Sequence, residues 1–185
     1  MQSNRLASFD ITDMYSNVPT VELLNVINIM CDKYNIEGKL KEAFMKISRL
    51  LIEQNYFKFL DTVYLQKEGL AMGAPTSSMF SEIYLQYIEN TEICYPTGVE
   101  VEGYYHCVDD ILVVYRENLT NINNILDKFN NIMPNMKFTL EQEQDNRIHF
   151  LDVTLIKKTK TIYSLTYIGN RQLQAPSFSM IHATH

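Results

Sequence analysis

Short apolar runs alternate along this chain with stretches whose apolar residues recur at helical spacing, and the alternation outlines most of its elements. Leu6-Ala7-Ser8-Phe9-Asp10-Ile11 reads as a buried strand ending in an acid, and the turn-rich stretch Thr12 to Pro19 follows. Val21, Leu24, Ile27 and Met30 predict a helix from near Thr20 that Gly38 interrupts. Leu40, Phe44, Ile47 and Leu51 predict a second amphipathic helix over about Lys39 to Gln54, its apolar face covering a sheet. Tyr56 to Leu60 and Val63 to Gln66 flank Asp61-Thr62 as a hairpin. Gly69 to Ser78, rich in glycine and small residues, feeds a helix from about Thr76 to Ile93 that is apolar along Met79, Phe80, Ile83, Tyr84 and Tyr87. Such a loop is either a plain connection or a place where a ligand approaches the backbone closely.

The stretch Tyr104 to Tyr115 has the pattern of a buried hairpin whose turn carries its only acids, Asp109 and Asp110. Leu119 to Ile132 then reads as a helix with Ile122, Ile125, Leu126 and Phe129 inward, closed by Met133-Pro134. Met136 to Glu141, Ile148 to Ile156 and Thr161 to Ile168 read as strands, the last two joined by Lys157 to Lys160, and no periodicity marks the tail beyond Gly169. Strand, helices, strand pair, helix, strand is the order of a split β-α-β unit. The predicted class is therefore α+β, an antiparallel, ferredoxin-like sheet with helices on one face.

In that topology the end of the first strand lies beside the tip of the hairpin, which makes Asp10 a third candidate carboxylate beside Asp109 and Asp110. Neighbouring acids repel and lose hydration unless a cation accompanies them, and hard carboxylate oxygens suit Mg2+. The hairpin alone fits two descriptions equally, a solvated Asp-Asp turn or a metal site. Acids from two distant segments meeting at one sheet edge are what two-metal phosphoryl transfer requires.

Composition narrows the class without naming the chemistry. Hydrophobic residues at 46% and charged residues at 21% of 185 fit a globular domain, or a fragment of something larger, rather than a disordered chain. No apolar run is long enough to span a bilayer and the N-terminus lacks a signal-peptide pattern, so an intracellular protein without membrane attachment is expected. Cys31, Cys94 and Cys107 are scattered, which suggests neither a disulfide framework nor a zinc site. His182 and His185 are two histidines without partners, a weak basis for a metal site. The net charge of -6 is unusual for a nucleic-acid binder, and a nucleic-acid partner requires basic surface on segments outside this chain.

Five segments in order carry a family resemblance. Phe9-Asp10-Ile11-Thr12-Asp13-Met14-Tyr15-Ser16-Asn17-Val18-Pro19 resembles the first palm motif of reverse transcriptases, Leu70-Ala71-Met72-Gly73-Ala74-Pro75-Thr76-Ser77 the second, and Cys107-Val108-Asp109-Asp110 the third. With Met136 to Glu141 and His149 to Val153, the wording is most similar to the Penelope-like retroelements, over roughly Ala7 to Thr166. The resemblance implies a polymerase palm over residues 1–168, without fingers or thumb, and a connection or tail over 169–185. It implies RNA-directed DNA synthesis, transfer of a nucleotide from a dNTP to a primer 3′-hydroxyl on an RNA template, with two Mg2+ or Mn2+ ions and a nuclear location.

Position by position, Asp10, Asp109 and Asp110 match the catalytic acids. Asp10 and Asp109 match the principal metal ligands, the Ile11 carbonyl a further one, and Asp110 an accessory acid. Asp13, Met14, Tyr15, Met72 and Gly73 match nucleotide-contacting positions, with Tyr15 at the steric gate against a 2′-hydroxyl. Ala74, Pro75 and Ser77 match template and primer contacts, and His149 to Val153 the element leading toward the primer grip. Read without the motif, Asp13 is equally a turn cap and Tyr15 an ordinary core aromatic. His106 reads as a packed hairpin residue, since imidazole is a poor donor for Mg2+. Cys107, Ala74 and Thr76-Ser77-Ser78 depart from the family's usual residues and leave the acids intact. Two other classes remain open: a non-catalytic palm remnant of a transposable element, used for nucleic-acid binding or interaction, and another palm enzyme such as a nucleotidyl cyclase.

Overall fold

A computed structural model describes residues 4–93, 101–157, 163–167 and 179–181. His182, His185, Cys94 and the Lys158 to Lys160 connection lie outside the described residues. Two compact units emerge, Met1–Thr12 with Glu92–His185 as the first and Asp13–Thr91 as the second.

The first unit is built on an antiparallel sheet. Strand β1 spans Asn4–Thr12. In the second unit follow α1 (Met14–Asn17), α2 (Thr20–Lys33), α3 (Gly38–Glu53), the hairpin strands β2 (Tyr56–Phe59) and β3 (Thr62–Leu65), and α4 (Ser77–Ile88), which runs into a π-helical turn at Glu89–Ile93. The first unit resumes with β4 (Val101–Cys107), β5 (Asp110–Arg116), α5 (Ile122–Ile132), β6 (Lys137–Gln142), β7 (Arg147–Phe150), β8 (Val153–Lys157), β9 (Tyr163–Tyr167) and β10 (Ser179–Ile181). Among the described residues its main sheet has the order β10-β4-β5-β1-β6, with β7-β8-β9 as a separate sheet. The order β4-β5-β1-β6, antiparallel at every step, is the predicted split β-α-β topology.

Strand alternation gives the main sheet two faces. Phe9 pairs with Ile111 and Leu140, Ile11 with Phe138, and Ala7 with Val113, so these side chains share one face. Phe129 of α5 packs on that face, its ring centroid 5.3 Å from Phe9, 5.4 Å from Phe138 and 6.1 Å from Tyr104. Helix α5 is capped by Asn121, whose side chain accepts a hydrogen bond from the Asn123 amide at 2.9 Å, and begins at Ile122, three residues later than the apolar pattern suggested. On the opposite face Leu6 and Leu112 meet Ile148, Phe150 and Leu155 of β7 and β8, and this small core holds the second sheet against the first.

Periodicity misled in four places. Val21, predicted inward, is 72% exposed, and Leu23, Val26 and Cys31 are buried beside the expected Leu24 and Ile27. The apolar stripe of α3, Leu40, Phe44, Ile47 and Leu51, is exposed, and Ser48 and Ile52 are buried instead. A repeat of apolar positions marks a face but does not supply its partner. The run Ile148 to Ile156, predicted as one strand, turns back at Leu151-Asp152 with Leu151 at φ 52°, which makes it the β7-β8 hairpin. Met79 on α4 is also exposed, although Phe80 and Tyr84 are buried as expected. Among the described residues no helix is long and apolar enough to cross a membrane.

Candidate active site

The two acids of the hairpin meet Asp10 because of register. Asp10 sits directly across from Asp110 on one side and from Thr139 on the other. Residues directly opposite in antiparallel strands lie about 4.5–5.5 Å apart at Cα, so two carboxylates emerge side by side at the end of the sheet. Asp109 occupies the two-residue turn Val108-Asp109 between β4 and β5, and its carbonyl accepts a hydrogen bond from the Ile11 amide at 3.0 Å. That bond ties the turn to the residue after Asp10. Val108 adopts φ 59°, the left-handed region, where a β-branched side chain is strained.

Asp10 is exposed, and Asp109 and Asp110 are half-buried. Partial loss of hydration on the side facing the sheet, then the charge of Asp109, pushes the carboxyl of the otherwise exposed Asp10 above its ordinary value. Burial again comes first for Asp110, followed by the charges of Asp109 and Asp10, all acting upward. The shifts have a common origin: like charges held together where water is partly excluded. A cavity of about 350 Å³ opens on this face, lined by Asp10, Asp110, Ser8, Thr139, Glu141 and His149 among others. Ser8 and Thr139 follow from strand parity once Asp10 is placed, whereas His149 reaches the cavity only through the fold of β7, where Thr154 Oγ1 lies 2.9 Å from its Nδ1. Among the described residues no three acidic, cysteine or histidine side chains form a ready-made metal cage. The acids instead make an open edge of hard oxygen donors.

The remaining sequence candidates lie in the second unit. Asp13, exposed and at φ 50°, is the N-cap residue of α1, its carbonyl accepting from the Asn17 amide at 3.2 Å, and it makes no side-chain cap hydrogen bond. Met14 is buried and Tyr15 half-buried. The Tyr15 carbonyl accepts from the Leu70 amide at 2.7 Å, which joins the loop of small residues to the segment after β1. Gly69 makes this approach possible: at φ +74°, a Cβ there would stand 2.3 Å from the Ser16 carbonyl oxygen. Met72 is 70% exposed, and Gly73 sits at φ +85° with open space around it. Pro75 is exposed and Ala74 half-buried. Ser77 is buried at the start of α4, and its hydroxyl donates to the Ala71 carbonyl at 2.7 Å, holding the loop closed onto the helix.

No family model matches the sequence, and no curated protein matches it either. Solved structures do. The chain superposes on telomerase from Candida tropicalis with a TM-score of 0.72 and 13% identity, covering 90% of this chain and 33% of that one. A form of that telomerase truncated from the C-terminal domain gives 0.66 and 12%, covering 90% and 36%. Telomerase from Candida albicans, in complex with the TWJ fragment of telomeric RNA, gives 0.67 and 14%, covering 89% and 31%. The chain thus spans about a third of the length of each structure it matches. At this identity the likeness defines the fold, a mixed α+β architecture of the telomerase reverse-transcriptase type.

Proposed function

We propose that the chain is the palm of a reverse transcriptase, catalysing template-directed transfer of a deoxynucleotide to a primer 3′-hydroxyl. The observation that carries this reading is the register of Asp10 against Asp110, with Asp109 in the adjoining turn, at the end of a sheet with a reverse-transcriptase-type fold. The wording of Phe9 to Pro19, Gly69 to Ser77 and Val108 to Ile111 supports a Penelope-like retroelement as the source. The palm would extend over residues 1–168, with 169–185 leading into a connection.

A divalent cation fits the donor set. The acids are hard oxygen ligands, and loss of hydration followed by mutual repulsion pushes Asp10 and Asp110 upward, a cost that a bound cation would relieve. The open edge suits Mg2+ or Mn2+, which take one or two protein carboxylates and complete their shell with water and substrate phosphates. Asp10 and Asp109 would hold the ions with the Ile11 carbonyl, and Asp110 would supply further negative charge. A bound pair of ions supplies activation of the attacking hydroxyl and neutralisation of the triphosphate. Asp13, Met14, Tyr15, Met72 and Gly73 would bind and orient the dNTP, Tyr15 excluding a 2′-hydroxyl by its bulk. Ala74, Pro75 and Ser77 would line the path of an RNA template and DNA primer, gripped through their backbones, so binding weakens as salt rises.

Primer extension on an RNA template, with the chain joined to a reverse-transcriptase fingers and thumb, tests the reading. Asp109→Asn is expected to abolish incorporation while leaving the far-UV circular dichroism unchanged. Full extension by that variant would remove the acids from the chemistry. Turnover of nucleotide without template would instead favour a cyclase.

A further inference from the structure

We infer that His106 is a positioning residue that clamps the Asp-Asp turn from behind, an assignment that rests on the reading of Asp109 as a functional acid. His106 lies near the end of β4, 1% exposed, and its Nε2 is 2.7 Å from the Val108 carbonyl oxygen. A carbonyl oxygen only accepts, so Nε2 carries the proton and the ring is fixed in the Nε2–H tautomer or in the doubly protonated form. The bond falls on the turn residue held at φ 59°, a conformation that valine adopts only when its surroundings over-determine it.

Both carbonyls of the two-residue turn are then tied: Val108 to the His106 ring and Asp109 to the Ile11 amide at 3.0 Å. The first tie orients the peptide that enters Asp109, and the second docks the turn on the strand that carries Asp10. Removing the ring N–H frees the Val108 carbonyl and lets the strained residue relax toward an extended backbone, which re-aims Asp109 relative to Asp10 and Asp110. His106 pairs across the sheet with Ile111 rather than with an acid, so its side chain lies on the face opposite the Asp10 and Asp110 carboxylates and does not itself contact a bound cation.

The test compares the full chain with His106→Phe, which keeps a ring and loses the donor, and His106→Gln, whose amide reaches the position of Nε2. Two quantities are read: Mn2+ affinity by paramagnetic relaxation titration, and hydrogen exchange at the Ile11 amide. His106→Phe is expected to bind Mn2+ about tenfold more weakly, the ratio that about 1.4 kcal/mol represents, and to exchange the Ile11 amide faster. His106→Gln is expected to restore both while its unfolding temperature matches that of His106→Phe. Wild-type behaviour of His106→Phe in both measurements overturns the inference. Losses that His106→Gln leaves uncorrected also overturn it, because they assign the ring to packing alone. A wild-type chain that binds no Mn2+ defeats the metal reading instead, and Ile11 exchange in the two variants then decides the role of His106 by itself.

Discussion

Replacing Asp110 by asparagine should make the fold more stable and its candidate site useless. Asp110 faces Asp10 directly across two central strands and feels the Asp109 charge as well, and both influences, after burial, raise its pKa above the ordinary 3.8. Like charges opposed across a strand pair destabilise by roughly 0.2–1 kcal/mol. The amide keeps the shape and removes the charge, so at pH 7 Asp110→Asn should gain about 0.5–1 kcal/mol. For a chain of this length that is a rise of about 1–4 °C in unfolding temperature.

The pH dependence has a definite sign. Between the ordinary value of 3.8 and the raised folded-state value, the native wild type binds more protons than the unfolded chain, so its stability rises as pH falls through that window. The advantage of the variant therefore shrinks on acidification and disappears below 3.8, where the carboxyl is neutral in both states. Mg2+ cuts that advantage, because an ion at ten times its wild-type dissociation constant adds about 1.4 kcal/mol to the wild type and less to a variant that has lost one of the site's negative charges. Differential scanning calorimetry at pH 7 and pH 3.5, with and without MgCl2, reads all three effects. A variant less stable than wild type at pH 7, or an advantage that widens toward acid, would refute the electrostatic account of the site.

Gly69→Ala should cost at least about 2 kcal/mol, since an L-residue in the left-handed region costs about 1–2 kcal/mol and its Cβ would lie 2.3 Å from the Ser16 carbonyl oxygen. Urea denaturation measures it, and a loss under 0.5 kcal/mol would mean that this close approach is absent in solution. Tyr15→Val should leave dNTP incorporation within a few-fold and raise incorporation of ribonucleotides at least about tenfold, the ratio worth about 1.4 kcal/mol. Single-nucleotide extension with matched dNTP and rNTP checks this, and unchanged discrimination would remove Tyr15 from the gate.

The hairpin that carries the candidate site was legible because two acids interrupt an apolar run, although only Asp109 lies in the turn and Asp110 opens β5. Its partner Asp10 followed from the order of elements, since a split β-α-β unit brings the first strand beside that hairpin. Turns built without glycine or proline were harder. Leu60, Val108 and Leu151 all adopt positive φ, a conformation their side chains do not advertise, and at Leu151 this hid a hairpin inside an apparently continuous strand. Contacts between distant segments left no local trace either. Gly69 against Ser16 depends on the tertiary path of the loop, and the exposed stripe of α3 depends on what is not packed against it. His106 was recognisable as a packed residue from its place in an apolar strand, but its bond to the Val108 carbonyl needed the turn geometry.

Crystals of the chain soaked in MnCl2, with anomalous diffraction recorded above the manganese edge, would locate a cation at the sheet edge. An anomalous peak is expected at the carboxylates of Asp10 and Asp109, lost in Asp109→Asn. An empty edge at saturating Mn2+, or a peak unchanged in that variant, would contradict a metal site there.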